Sequence, residues 1–371
     1  MPKFLKKLSI RYVKWIILNF FSKNPNLANK FSIYNIAKSF EEIDGRDLIL
    51  MKDSEGFIFV AKKFKNILVA ENTGCNLYKN GSLFNVIAPT SGTVPRNWVK
   101  ISTGPKKICK IEGSVINLIG VHKGVKHYFH IFFDYIFPLL FFLKKYQNSQ
   151  ESISILVRNN PNHVQRELYN LIEENFPYVK FILVEKGAFF ECENLIYFNH
   201  FHNAFYDYQR NSQISETIFG LRDLLLKKYQ IPNLDYTAKD LIYISRNRAR
   251  LRKNLNEKSF QKELHKRGFK TVVLEDISFK EQVATFFNAK FIIATHGAGY
   301  TNLIFSNQKL HFLEIFSKKY GSKDYLRISK ILNLKRYEYR ENNEFMWQAF
   351  YLNIKKILPQ IDKILHELEK F

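Results

Sequence analysis

The sequence predicts an α/β protein with two parallel-sheet domains and a β-rich N-terminal region, and three observations carry that prediction. Strand-like runs alternate with helical ones through most of the 371 residues, the pattern of a parallel sheet with helical crossovers. With 46% hydrophobic and 16% aromatic residues, the chain has apolar surface enough for two cores. A polar stretch with one proline, residues 231–240, separates a long helical pattern from a fresh strand-first pattern.

The elements follow in order. Over residues 1–22, Leu5, Leu8, Tyr12, Trp15 and Ile16 share one helical face and Lys3, Lys7, Arg11 and Lys14 the other. Such a helix suits anionic lipid, and it equally suits docking on the protein's own body. Its apolar runs fall far short of the roughly 18 residues of a spanning helix, and Lys14 breaks the apolar stretch a signal peptide would need. Residues 23–235 are expected to form the first domain. Short strands at 57–61, 67–70, 83–87 and 115–119 come first, then an apolar helix over 126–146. Strands at 153–157, 181–184 and 195–198 then alternate with helices at 164–176 and 214–230.

The second domain, 236–345, reads as strands at 241–245, 270–274, 291–294 and 312–315 with helices between them. That alternation makes a Rossmann-like half. The tail, 346–371, reads as a helix expected to pack back on the first domain.

A formal charge of +23 favours anionic partners, and nucleic acid, anionic lipid and a nucleotide diphosphate all qualify. A solvated basic surface with no partner qualifies too. No nucleic-acid recognition motif accompanies the charge, so no nucleic acid is expected. Cys75, Cys109 and Cys192 are odd in number and widely spaced. They indicate neither a disulfide framework nor a zinc site, and fit a reducing cytosol.

Ligands of open α/β sheets bind beyond the carboxyl ends of the strands. After the strand at 241–245 come Arg246, Arg248, Arg250, Arg252 and Lys253, planar donors suited to phosphate oxygens or, equally, a solvated basic loop. After the strand at 291–294 come His296, Gly297, Ala298, Gly299 and Asn302. Glycines there let backbone amides approach an anion at a helix start, and a tight strand-to-helix turn would use them as well.

Tyr-Ile-Ser-Arg-Asn-Arg at 243–248, with Arg252 and Asn256-Glu257, begins an ordered series. Leu-Glu-Asp-Ile-Ser-Phe at 274–279, His-Gly-Ala-Gly-Tyr-Thr-Asn-Leu at 296–303 and Leu313-Glu314 complete it. The series resembles the C-terminal signature of glycosyltransferase family 61. His130 and Asp134, in the run Tyr-Phe-His-Ile-Phe-Phe-Asp-Tyr-Ile-Phe-Pro, are similar to the family's shorter His-x-x-x-Asp element.

The resemblance implies a GT-B fold, two Rossmann-like domains facing a central cleft, with the acceptor side in the first. It implies inverting transfer from a nucleotide sugar, usually a UDP-sugar, with no resident cofactor and no bound metal. No Asp-x-Asp pair occurs in the chain. Asp134 is the expected base and His130 its orienter or an acceptor contact. The alternative is that both simply brace the fold. Arg246 and Arg248 are assigned to the diphosphate with Arg252 as a further candidate, and Gly297, Ala298 and Gly299 supply amides. His296 and Asn302 are donor contacts, Ser278 a reader of the base, and Glu314 a ribose acceptor or a turn cap. The partner would be a glycan or lipid-linked acceptor of bacterial capsular or surface polysaccharide assembly. The enzyme would lie at the cytoplasmic face of the inner membrane, held by residues 1–21. A catalytically inactive nucleotide- or glycan-binding relative and an RNA-binding protein are the competing readings.

Overall fold

The computed structural model describes residues 48–52, 58–70, 76–77, 107–119, 127–146, 151–185, 187–198, 212–231 and 239–370. The basic amphipathic segment 1–22 and the expected strand at 83–87 lie outside them. The chain divides into two units, Met1–Tyr208 and Gln209–Phe371.

In the first unit the strands are β1 (Leu48–Lys52), β2 (Ile58–Ala70), β3 (Asn76–Leu77), β4 (Lys107–Asn117), β5 (Ile153–Val157), β6 (Val179–Leu183) and β7 (Ala188–Phe198). They form one sheet in the order β1-β2-β7-β4-β5-β6, with β3 beside β2. From β7 to β6 the neighbours are parallel, whereas β1, β2 and β7 pair antiparallel. The first strands of the expected β-rich N-terminal region, β1 to β3, are therefore an antiparallel wing of this sheet, and the strand expected at 115–119 falls on β4 in its parallel part. Where two strands were expected at 57–61 and 67–70, β2 is continuous. Asn66, at φ 56°, interrupts the pairing between Lys65–Asn194 and Ile67–Cys192 without shifting the register, so one strand runs through where a turn residue suggested a break. Ile67, Val69, Val115, Leu156, Cys192 and Leu195 form the core beneath.

The apolar helix of this unit has three consecutive parts. A turn at Tyr128–His130 widens into a π-helix at Ile131–Ile136, which continues as α1 (Phe137–Tyr146). Pro138 supplies a cause: its ring has no N–H to give to the carbonyl of residue 134 and would clash with it in a regular α-helix. Widening to i→i+5 bonding, as in Phe137 N–H to Phe132 O, relieves that contact. Helix α2 (His163–Asn175) begins with a capping box, in which Asn162 and Gln165 satisfy each other's backbone N–H.

The second unit holds β8 (Asp240–Ile244), β9 (Lys270–Val272), β10 (Ala289–Thr295), β11 (His311–Phe316) and β12 (Lys335–Arg340). All pair in parallel, in the order β12-β11-β10-β8-β9. The order reverses between β8 and β10, a topological switch point. The fifth strand, β12, went unread in the sequence because its alternation Lys-Arg-Tyr-Glu-Tyr-Arg is that of a charged edge and not of a buried parallel strand.

Two boundary expectations are corrected. Helix α3 (Ser212–Tyr229) falls in the second unit, where Arg222 donates to Ser306 O at 3.1 Å and Tyr229 meets Phe279 edge-on. The division thus precedes this helix instead of following it. The C-terminal helix α7 (Ile354–Glu369), expected to pack on the first domain, buries Ile357, Ile361, Ile364 and Leu368 among Phe260, Leu264, Phe291 and Leu313 of the second unit. Its i, i+4, i+7 stripe completes the layer over that sheet. The other helices here are α4 (Glu257–His265), α5 (Phe279–Asn288) and α6 (Asp324–Ile331).

Candidate functional site

The loops after β8 and β10 flank the switch point of the second sheet, and the structure brings their key residues into contact. A Cβ built on Gly297 would lie 1.7 Å from Arg246 Nη1 and 2.5 Å from its Cζ. The guanidinium therefore rests against the glycine. Gly297 has φ 173° and ψ 173°, an extended conformation open to any residue, so what glycine supplies is room. Gly299 does the same one turn on, where a Cβ would meet Leu274 Cδ1 at 2.8 Å.

Arg246 is poorly satisfied for a guanidinium this enclosed. One nitrogen, Nη2, donates to Leu251 O at 3.2 Å, while Nε is buried with no hydrogen-bond partner. Burial lowers its pKa, and the like charge of Arg252 lowers it further. Arg252 repeats the pattern, with a buried, unpartnered Nε and its guanidinium 4.6 Å from the Tyr320 ring. Leaving a charged donor unmatched costs about 1–3 kcal/mol or more. Two such arginines side by side form a site whose energy an anion would lower.

The backbone around them is fixed by Glu257. Its Oε1 accepts from Tyr243 OH at 2.9 Å and from Arg246 N–H at 3.0 Å, tying the end of β8 to the start of α4. The Glu257 carboxylate thus holds the strand end, although Arg252 is only five residues away in sequence. Arg248 faces outward and pairs with Asp276 at 2.5 Å, both exposed.

His296 sits at the end of β10, 4% exposed, stacked on Phe316 and flanked by Tyr320 and Tyr325. Its Nδ1 is 2.5 Å from Glu314 Oε1. The other carboxylate oxygen of Glu314 accepts from Arg336 Nε at 2.8 Å, and Arg336 continues to Glu338 at 2.7 Å. Burial pulls the Arg336 pKa down, and the Glu314 and Glu338 carboxylates more than offset it. Glu314 was expected to accept from a ribose or cap a turn. With both oxygens used and no exposure, it orients the His296 ring, the role a carboxylate plays behind many functional histidines. Arg336 was missed because it lies on the unrecognised strand β12.

Ser278 and Asn302 both have partners within the fold. Ser278 caps α5: its hydroxyl accepts from Glu281 N–H at 3.2 Å and donates to the Glu281 carboxylate at 2.7 Å. Asn302 is fully buried and donates to Gln282 Oε1 at 3.1 Å, which ties the turn after β10 to α5. That turn, beginning at Ala298, is an eight-residue 3₁₀-helix, Ala298–Phe305. Tyr300 pins it by donating to Leu313 O at 2.6 Å, so Gly297, Ala298 and Gly299 stay at the sheet edge.

In the first unit, His130 Nδ1 lies 2.7 Å from Asp134 Oδ2. Asp134 is 5% exposed within the π-helix and His130 is half-buried. The His127 ring stands 5.0 Å from that of His130, and along the neighbouring stripe Phe129 stacks on Phe133, which meets Phe137 edge-on. Asp134 also raises the phenol of Tyr135, although burial is the larger cause. π-Helical turns within longer helices occur frequently at functional sites. Among the described residues, no group of three or more His, Cys, Asp and Glu side chains is arranged to hold a metal.

A search of curated proteins finds no match to this chain. The family model described as Glycosyltransferase 61 matches residues 128–313, half of the chain. The match begins two residues before His130, runs through Asp134, Arg246 and His296, and stops one residue short of Glu314. The chain belongs to glycosyltransferase family 61.

Proposed function

We propose that this glycosyltransferase is an inverting enzyme of GT-B architecture. It moves a sugar from a nucleotide sugar, a UDP-sugar by family resemblance, to a glycan or lipid-linked acceptor of bacterial surface polysaccharide. One observation carries the donor half of this reading. Arg246 and Arg252 each keep a buried Nε without a hydrogen-bond partner beside the Gly297 cradle, at the switch point of a parallel sheet. A diphosphate there would satisfy both cations. As the bond between the anomeric carbon and the diphosphate breaks, the same arginines take up the charge left on the leaving oxygen. His296, its ring held through Nδ1 by Glu314, adds a polar contact to that phosphate or to the sugar.

In the acceptor half, Asp134 is the proposed base. It takes the proton from the acceptor hydroxyl as that oxygen attacks the anomeric carbon on the face opposite the diphosphate, which inverts the configuration. His130 holds the carboxylate in position. Arginine neutralisation makes the transfer independent of metal, and residues 1–21 hold the enzyme at the cytoplasmic face of the inner membrane.

Thermal melts with UDP, GDP, CDP and dTDP in EDTA test the donor half. Ligand at ~100 times its Kd adds about 2.7 kcal/mol, enough to rank the bases. Stabilisation by one nucleotide is expected, lost in Arg246→Ala and kept in Asp134→Asn, which should stop transfer. Turnover in Asp134→Asn near the wild-type rate refutes the base assignment, and stabilisation by a short RNA alone refutes the transferase reading.

A further inference from the structure

Eight large apolar side chains are exposed among the described residues, and six of them gather at one place in the second unit. These are Leu251 and Leu255 from the segment after β8, and Phe345, Met346, Trp347 and Tyr351 from the segment after β12. Met346 is 80% exposed and Trp347 57%. Backbone bonds join the two segments: Arg252 N–H donates to Trp347 O at 2.9 Å, Phe350 N–H to Lys253 O at 3.0 Å and Leu255 N–H to Phe350 O at 2.8 Å. Asn343 closes the second segment by bonding both the N–H and the carbonyl of Tyr351.

The exposure is held in place at an energetic cost. Arg252, Trp347 and Gln348 have φ of 57°, 62° and 59°, left-handed values that cost about 1–3 kcal/mol each in residues other than glycine. All three lie at the junction that turns Met346 and Trp347 outward. Arg250 lies 5.0 Å from the Trp347 ring. Lys253, and Lys318 and Lys319 beside Asn343 and Glu344, add exposed positive charge. Nearby carboxylates are already engaged. Glu257 holds the end of β8, Asp276 pairs with Arg248, and Glu344 accepts from Ser317 and the Lys319 backbone.

We propose that this surface docks the protein on an anionic lipid bilayer, as a contact separate from the N-terminal segment. Trp, Tyr, Phe and Met side chains in a ring of Arg and Lys match the interfacial layer, where aromatic rings sit at headgroup depth and cations meet lipid phosphates. A wholly apolar patch would leave the four cations without a role, and a purely basic one would leave the strain at Trp347 without one. Because Arg252 joins the patch to the arginine pair, docking holds the donor loop beside the membrane surface.

Vesicle co-sedimentation of the full chain tests the proposal, with phosphatidylcholine alone and with phosphatidylcholine–phosphatidylglycerol mixtures. Binding to the anionic vesicles is expected to fall about tenfold in Met346→Glu/Trp347→Glu, with the melting temperature retained. A second measurement avoids disruptive charges: acyl-chain-brominated lipid should quench the tryptophan emission of the wild type more than that of Trp347→Phe. Equal quenching, or unchanged vesicle binding by the folded double variant, overturns the proposal. Binding as strong to neutral as to anionic vesicles removes the role given to the cations and overturns it too.

Discussion

Gly297→Ala isolates the contact on which the donor site depends. A new Cβ would stand 1.7 Å from Arg246 Nη1, 2.5 Å from Cζ and 3.1 Å from Nη2. Carbon and guanidinium cannot approach closer than about 3 Å, so the arginine head must move by more than an ångström. Hydrogen bonds to a phosphate hold over a window of about 0.5 Å, from about 2.7 to 3.2 Å. One charge-assisted bond, about 1.5–3 kcal/mol, is therefore forfeited, and nucleotide affinity should fall about 10- to 150-fold. Stability should barely change. The extended backbone at Gly297 accepts alanine without strain, and the Arg246 head is the far end of a flexible side chain that can shift without disturbing the core. Titration calorimetry with UDP and with pyrophosphate, beside urea unfolding, reads both quantities. Affinity within twofold of wild type in a folded variant refutes the cradle, and an affinity loss matched by a stability loss of several kcal/mol refutes its separation from the core.

Two other perturbations follow from the same unit. Glu314→Ala should destabilise by about 3 kcal/mol in urea unfolding, because Arg336 and His296 lose their shared buried acceptor while Glu338 still pairs with Arg336. A cost below about 1 kcal/mol contradicts that reading. The Asp362 carboxyl is held below its ordinary value chiefly by its hydrogen bond from Arg267, which joins α7 to the end of α4. A depressed carboxylate pKa contributes stability above the unfolded value of about 3.9, and this is lost as pH falls through the folded value. Arg267→Met should therefore lower stability at neutral pH, by less than about 1 kcal/mol for so exposed a pair, and make the acid limb shallower. Parallel acid limbs in wild type and variant would show that the pair contributes nothing.

Much of the second unit was legible in advance. Strands at 241–245 and 291–294 announced themselves as apolar runs, as parallel strands buried on both faces do, and the strand at 312–315 as one interrupted by Glu314. The arginines after β8 and the His-Gly-Ala-Gly turn after β10 stood where a sheet of this kind presents its ligands, and the fold brings Arg246 onto Gly297. Strand β12 and the partners of α3 and α7 were not legible. An amphipathic stripe fixes that a helix is covered on one face, while which body covers it is a long-range packing choice. The charged pattern of β12 likewise becomes a strand only because β11 offers it an edge.

The roles of the polar side chains divide in the same way. Residue type and spacing determined by themselves that His130 and Asp134 stand one helical turn apart and that cations crowd the end of β8. Tertiary structure alone decided that Glu314 and Asn302 are committed inward, that Arg246 and Arg252 are left with unmatched donors, and that Trp347 is held outward beside Arg252. A sequence specifies which groups can donate and accept along one chain. Whether a given donor meets its acceptor depends on residues far away in sequence that pack against it, as the bond from Arg336 to Glu314 across two adjacent strands demonstrates.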